Sequence, residues 1–400
     1  MSLVSFLRRR GLALAAILLL GAAPACLAWA APRTPSTDTE VLERVRPRSD
    51  TTAQELRALA QQLRARPDDL DVALKLARRH LAIARTSADP RHVGYAEAAL
   101  APWLEQSAPP APVRLLRATM RQSRHDFADA LVDLDAVLAA APGDAQALLT
   151  RATIRLVLAD IAGAARDCAA LSRRATALVA TACQAAVQAA SGQAAIAQAG
   201  LARARAATTT EDPTVRAWVA TLQAEIVARL GDAHAAEAFF REAIALDPAD
   251  VYTRAAYADL LLETGRPMAA RALVDRDLRP DALLLRAALA AHAMQADDAD
   301  ALVARLLDRM EDAARRGDTT HLREAARVQL DLLGDPRRAL DLAARNFIIQ
   351  REPADALLLL RAARAASRPD AAAPALAWVA ATRIEDAAIA RAAAALRGPP

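Results

Sequence analysis

Phenylalanine, tryptophan and tyrosine together make up only 3% of the 400 residues, glycine occurs 12 times, and lysine once, at Lys75. Each shortage excludes something. Few aromatics and few runs of Val, Ile, Thr and Tyr argue against sheets, whose strands favour β-branched and aromatic side chains. Alanine and leucine supply the apolar content instead, and both are strong helix formers. The expected class is all-α. Neither Cys-x-x-Cys, a glycine-rich phosphate loop nor a Gly-x-Ser-x-Gly elbow occurs. The six histidines, His80, His92, His125, His234, His292 and His321, lack an i, i+4 pair on one helix, so no metal site and no cofactor is expected. The Asp and Glu residues read as solvated helix faces rather than a catalytic pair, and no long non-repeat segment is left to fold as an enzyme domain.

Charge of one sign is missing too. Of the net +4, three charges are Arg8, Arg9 and Arg10, and residues 1–30 hold no Asp or Glu, so removing that segment leaves about +1. The remaining charges of both signs are scattered, which gives no electrostatic case for nucleic acid.

Residues 1–30 read as a secretory signal peptide. Arg8–Arg10 form the positive region, Gly11 to Ala23 a short apolar run, and Ala28-Trp29-Ala30 places small residues at the −3 and −1 positions of a cleavage after Ala30. The apolar run is too short for a membrane span, so none is expected in the mature chain. Ala23-Pro24-Ala25-Cys26 as a degenerate lipoprotein signal and Arg9-Arg10 as a twin-arginine signal are the lesser alternatives. The expected location is the bacterial periplasm. Residues 31–50 are polar and proline-rich, as in a mobile leader.

What the chain has in abundance is periodic. Ala98, Ala130, Ala164, Ala197, Ala236, Ala270 and Ala339 recur at about helix-pair intervals. The step from Ala130 to Ala164 equals that from Ala236 to Ala270, and the step from Ala98 to Ala130 is shorter by two. Ala118, Ala152, Ala185, Ala224 and Ala258 each stand twelve positions before one of them. Two small residues per period mark stacked helical hairpins, because small side chains let helix backbones approach closely. The punctuation agrees: Gly192, Gly231, Gly265 and Gly334 fall where a first helix ends, and Pro142, Pro248 and Pro280 where a second one stops. A helix over 51–66 is followed by hairpins at 68–108, 111–144, 145–177, 178–211, 217–250, 251–280, 281–316 and 320–352. A degenerate cap covers 354–397, within a solenoid of 51–397. The period breaks near 208–216 and 313–320.

In the mature chain two cysteines remain, Cys168 and Cys183, on the second helix of one hairpin and the first of the next. They read either as small buried apolar residues or as a disulfide across that packing.

In this register the chain resembles the tetratricopeptide repeat family over roughly residues 68–352. The family motif has small residues at positions 8, 20 and 27 of 34, a large apolar residue at 24 and proline at 32. In 217–250 these are Ala224, Ala236, Ala243, Phe240 and Pro248; in 111–144 they are Ala118, Ala130, Val137, Leu134 and Pro142. Unit 145–178 keeps Ala152 and Ala164 but departs elsewhere, with Cys168, Leu171 and Thr176.

The resemblance implies a right-handed α-solenoid whose first helices line a concave groove that binds a protein or peptide segment. Groove positions 2, 5, 9, 12 and 13 are Trp218, Thr221, Glu225, Ala228 and Arg229 in one unit and Tyr252, Ala255, Asp259, Leu262 and Glu263 in the next. Trp, Tyr and Arg are enriched at binding hot spots, so these residues form a candidate patch; the alternative is that the aromatics merely pack on neighbouring helices. Family members that grip a C-terminal carboxylate use Lys and Asn in the groove. Here the sole asparagine, Asn346, falls on a second helix, so that clamp is not expected. The expected function is a non-catalytic interaction scaffold of the cell envelope. The alternatives are a structural subunit of an envelope complex and, less favoured, an enzyme with an unrecognised groove site.

Overall fold

A computed structural model describes residue 37 and residues 50–208, 211–315 and 321–396. The signal segment, the cleavage position after Ala30 and Cys26 lie outside the described residues, as do parts of both period breaks. Contacts divide the chain into Met1–Gln54 and Glu55–Pro400. Of the first unit only Thr37 and Asp50–Gln54 are described, the last four opening a helix.

Among the described residues all regular structure is helical. That opening helix is α1 (Thr51–Ala65). Pairs then follow in order: α2 (Leu70–Ser87) with α3 (Arg91–Leu104), α4 (Ala111–Ser123) with α5 (Phe127–Ala140), α6 (Ala145–Val157) with α7 (Ile161–Leu171), and α8 (Ala177–Ala189) with α9 (Ala194–Ala207). Next come α10 (Pro213–Arg229) with α11 (Ala233–Leu246), α12 (Val251–Glu263) with α13 (Pro267–Val274), and α14 (Asp281–Met294) with α15 (Ala299–Arg315). In the last part α16 (Leu322–Arg327), prolonged by a π turn over Val328–Leu332, pairs with α17 (Pro336–Ile349). It is followed by α18 (Pro353–Ala365), α19 (Ala373–Thr382) and α20 (Ala387–Ala395).

One local device repeats at the hairpin turns. His125, Ala159, Gly192, Gly231, Gly265, Gln295, Gly334 and Ser367 all have positive φ, between 54° and 93°, and end a first helix. Apart from Gln295 and Ser367, each is followed by a single capping residue and then the next helix. Where that cap is Asp160, Asp232 or Asp335, its carboxylate accepts from the third amide of the helix, at Gly163, Ala235 or Arg338, at 2.8, 2.9 and 3.0 Å. Such a cap contributes about 1 kcal/mol. The four glycines carry the left-handed conformation without the Cβ clash the other residues suffer.

The periodic alanines sit where the helices touch. From Ala118 to Ala270 every member of both series is at most 1% exposed. The first hairpin corrects the expected register: Ala98 is exposed, whereas Ala96 is fully buried. The step from Ala96 to Ala130 equals that from Ala130 to Ala164, so the true period is constant there. Helix α3 begins at Arg91, which sets this register.

Two hairpins add a buried ionic fork that sequence reasoning overlooked. Asp133, 1% exposed, receives Arg117 and Arg121, each at 2.6 Å. One repeat later Asp167, 2% exposed, receives Arg151 at 2.6 Å and Arg155 at 2.8 Å. The same R-x3-R-x11-D spacing, recurring one full period later, was present in the sequence. Each carboxylate pins both turns of a first helix to its own second helix.

Cys168 on α7 and Cys183 on α8 are joined in a disulfide, with Cα atoms 5.5 Å apart. Of the two readings left open by the sequence, both hold together: the sulfurs are buried and bonded.

Within the Glu55–Pro400 unit, the last helices return to the earlier turns. The Arg351 amide donates to the Val157 carbonyl at 2.8 Å, and the Ala194 amide to Glu385 Oε2 at 2.7 Å. Ile349 packs on the cluster built from α4 to α8, and Ala159 on that of α16 to α20. Arg85 on α2 reaches Asp247 at 3.8 Å.

A Cβ at Gly265 would meet nothing within 4 Å, so Gly265→Ala isolates the backbone cost at φ 73°. It is expected to lower stability by about 1 kcal/mol in denaturant unfolding, and Gln295→Gly to raise it by a smaller amount. Peptide mapping without reduction is expected to recover Cys168 linked to Cys183; recovery of both as free thiols would exclude the bond.

Candidate protein-binding surface

The first helices of the later hairpins converge on one face. Asp259 of α12 takes Arg286 of α14 (Nη2 to Oδ2, 2.6 Å) and Arg327 of α16 (Nη1 to Oδ1, 2.8 Å). Three successive first helices thus share one carboxylate, which is possible only on the inner side of a curved stack. Burial works to raise the Asp259 pKa, but the two guanidinium groups outweigh it and hold it at about 2.

The π turn explains how Arg327 gets there. Elsewhere the paired alanines are twelve apart, yet twelve before Ala339 stands Arg327. The buried small residue is Ala326, thirteen before Ala339. The extra residue is absorbed between them, where the Leu333 amide donates to the Val328 carbonyl five positions back. A π turn of this kind is a one-residue insertion in a helix. It keeps Ala326 in the packing and releases Arg327 to the inner face.

A second ionic group follows on the same side. Arg323 Nε donates to Asp355 Oδ1 at 2.5 Å and its Nη2 to Glu352. Asn346 Nδ2 donates to Asp355 Oδ1 at 2.7 Å, and the Glu352 amide to Asp355 Oδ2 at 2.9 Å. Burial raises the Asp355 pKa against the pull of Arg323. Asn346 does lie on a second helix, and it is committed to this network.

The predicted groove residues divide by exposure. Trp218 is 36% and Tyr252 60% exposed, and the Tyr252 hydroxyl donates to Glu225 Oε1 at 2.5 Å, tying α12 to α10. Burial raises the Glu225 pKa, with the Tyr252 hydrogen bond opposing it. The Glu225 charge lifts Tyr252 well above the usual phenol value. Glu352 and Arg323 act on both residues from α18 and α16, so the late hairpins face α10 and α12 here. Glu263 is exposed, its pKa raised by burial within the concavity and then by Asp259. Arg229 is half-buried and donates to the Glu225 carbonyl at 3.3 Å.

Position 5 departs from the expectation. Thr221 is 4% exposed, its hydroxyl bonded to the Ala217 carbonyl at 3.0 Å and to Thr253 Oγ1 at 2.8 Å; Ala255 is 6% exposed. Thr221 lies in the packing between α10 and α12 and Ala255 in the core cluster around α12, so both are closed to a partner. The stack turns tightly enough for adjacent first helices to cover that position. Asp259 also differs in kind, because its oxygens are taken by arginines of the same chain. Sequence reasoning missed those arginines, which belong to the next two hairpins along the chain.

Among the described residues no set of three or more His, Cys, Asp or Glu side chains is arranged to hold a metal ion. No helix among them is long and apolar enough to cross a membrane.

Residues 228–282 match the tetratricopeptide repeat family. No curated protein matches the sequence. Among solved structures, the hetero-tetramer Cut9–Hcn1 of APC/C is similar at 13% identity, over 87% of this chain and 67% of that one, with a TM-score of 0.51. That likeness concerns the fold alone. Human IFIT1, as a dimer with PPP-AAAA, aligns over 84% of this chain and 90% of that one at 12% identity, TM-score 0.44. Yeast Tom70 aligns over 86% and 85% at 13% identity, TM-score 0.39.

The depressed Asp259 pKa makes a signed prediction. The stabilisation is full above the unfolded value near 4 and disappears as pH falls from about 4 to 2. Asp259→Asn is expected to cost about 2 kcal/mol at pH 7 and to flatten that part of the stability profile, read by urea unfolding at several pH values.

Proposed function

We propose that this tetratricopeptide repeat protein is a non-catalytic scaffold that holds a segment of another protein against its inner face, beside Trp218 and Tyr252. The observation that carries the reading is the contrast on that face. Its Asp259, Arg286, Arg323, Arg327 and Asp355 are matched to one another within the chain. Trp218 and Tyr252, on adjacent first helices, keep large accessible surfaces. Two exposed aromatics on adjacent first helices, one fixed by its hydrogen bond to Glu225, with Arg229 and Glu263 on the same helices, have the make-up of a binding hot spot. The setting we propose is the bacterial envelope after export and cleavage following Ala30, with assembly or maintenance of an envelope complex as the task.

A second reading has its own observation. Val132, Ile196, Met268 and Ile348 are 65%, 57%, 77% and 77% exposed, and each lies on a second helix, α5, α9, α13 or α17. Aliphatic side chains on that series suit a subunit built into a larger assembly through its outer helices.

Photo-crosslinking residues placed at 218 and 252, and in parallel at 268 and 348, separate the two in cells of the source envelope. The inner-face reading expects one defined adduct from 218 and 252, lost when the other aromatic is changed to Ala, and none from 268 or 348. The reverse pattern overturns it in favour of the outer face. N-terminal sequencing of the exported chain is expected to begin at Ala31.

A further inference from the structure

We propose that His80 and His92 form the core of a binding site for a divalent late-transition-metal ion of square-planar preference, copper(II) or nickel(II). The two residues come from different helices, His80 from α2 and His92 from the first turn of α3, on either side of the Ala88–Pro90 turn. Their Nδ1 atoms stand 2.8 Å apart. The rings are tilted by 41°, with centroids separated by 5.1 Å. Tyr95, 52% exposed, flanks both, at 5.3 Å from His80 and 5.7 Å from His92. The pair is therefore half-buried with one side reached by solvent.

The distance, here that of a hydrogen bond, also matches one class of metal chelate. Two nitrogens held cis on a square plane, each about 2.0 Å from the ion, are about 2.8 Å apart. Two imidazoles on a tetrahedral zinc ion stand about 3.3 Å apart. Imidazole suits copper and nickel, and copper binds such ligands most tightly in the divalent series.

The tautomers decide which lone pairs face the gap. The hydrogen bond makes one Nδ1 the donor and the other the acceptor. An ion meets both lone pairs once the donor ring carries its proton on Nε2 instead, a change of tautomer that needs no net proton release. Asp89, in the α2–α3 turn three residues before His92, offers a carboxylate as a third ligand. Its carboxylate is held by Arg91, at 3.0 and 2.6 Å, so water completes the coordination until that pair opens. The site escapes a search for i, i+4 pairs because its two members belong to two helices, one on each side of a turn. A bound ion would cross-link α2 to α3 beside that turn.

Copper(II) titrated into the full chain at pH 7.5, with free thiols alkylated, tests this by calorimetry and electron paramagnetic resonance. One equivalent is expected to bind with a tetragonal spectrum showing nitrogen hyperfine structure, and to raise the midpoint of thermal unfolding. His80→Ala and His92→Ala should each weaken binding at least tenfold, whereas His292→Ala, at an exposed position near the end of α14, should not. Should an Ala variant lose its helical circular dichroism, His80→Gln and His92→Gln replace it. Binding that persists unchanged in the double variant, or no stoichiometric binding in the parent, overturns the proposal and leaves the pair as a hydrogen bond only.

Discussion

The packing of alanine against alanine between helices sets the terms for everything else in the array. Ala118 with Ala130, Ala152 with Ala164, Ala185 with Ala197, Ala224 with Ala236 and Ala258 with Ala270 are all buried to within 1% of completely. With only a methyl group on each side, the helix backbones sit at the close end of ordinary packing distances, which depend on the side chains at the contact. Interiors of this density leave no room for an added methylene without moving a helix. A twelve-residue interval between the two methyls then fixes the length of the turn, and with it the position of the left-handed residue and its aspartate cap. The one hairpin whose alanines are thirteen apart shows the strength of the constraint. There the α16 helix widens into a π turn rather than let Ala326 leave the contact.

Charged residues are arranged around that apolar register rather than within it. Asp133 and Asp167 are buried, yet each is held by two arginines from the facing helix of its own hairpin. Removing one partner of such a group leaves a desolvated charge, so the forks specify the pairing of helices more than they add to stability. On the inner face the same chemistry works between hairpins. Asp259 joins α12, α14 and α16, and Asp355 joins α16, α17 and α18. These ties run across the direction in which the stack would unwind.

How much of this was legible in the sequence follows from the range of each interaction. The helical class, the hairpin turns and the methyl contacts are local, repeating within one hairpin or from one hairpin to the next, and composition and periodicity carry them. The register failed only at Ala98, where Ala96 carries the contact, because two neighbouring alanines cannot be told apart without knowing where α3 begins. Thr221 was misplaced for another reason: its burial depends on how closely α10 and α12 approach, which no single helix encodes. The return of Glu385 to Ala194 and of Arg351 to Val157 spans half the chain. It comes from small rotations accumulated over many hairpins, a quantity absent from any one period. His80 and His92 were missed because they come from two helices.

That accumulated rotation decides what the inner face can offer. An open groove would present whole columns of first-helix residues, and charge would be the natural currency of recognition. In this chain the later helices come round to face α10 and α12, and the arginines they bring are matched to the carboxylates opposite. A partner seeking those charges would have to displace ion pairs already held in place, at little net gain, since each broken pair leaves a desolvated group behind. Aromatic surface has no such competitor. Trp218 and Tyr252 keep 36% and 60% of their area accessible where the surrounding charges are satisfied. The fixed Tyr252 hydroxyl reduces the ordering needed when a ligand arrives. On the proposed scaffold reading, recognition on this face would rest on apolar contact at these two rings.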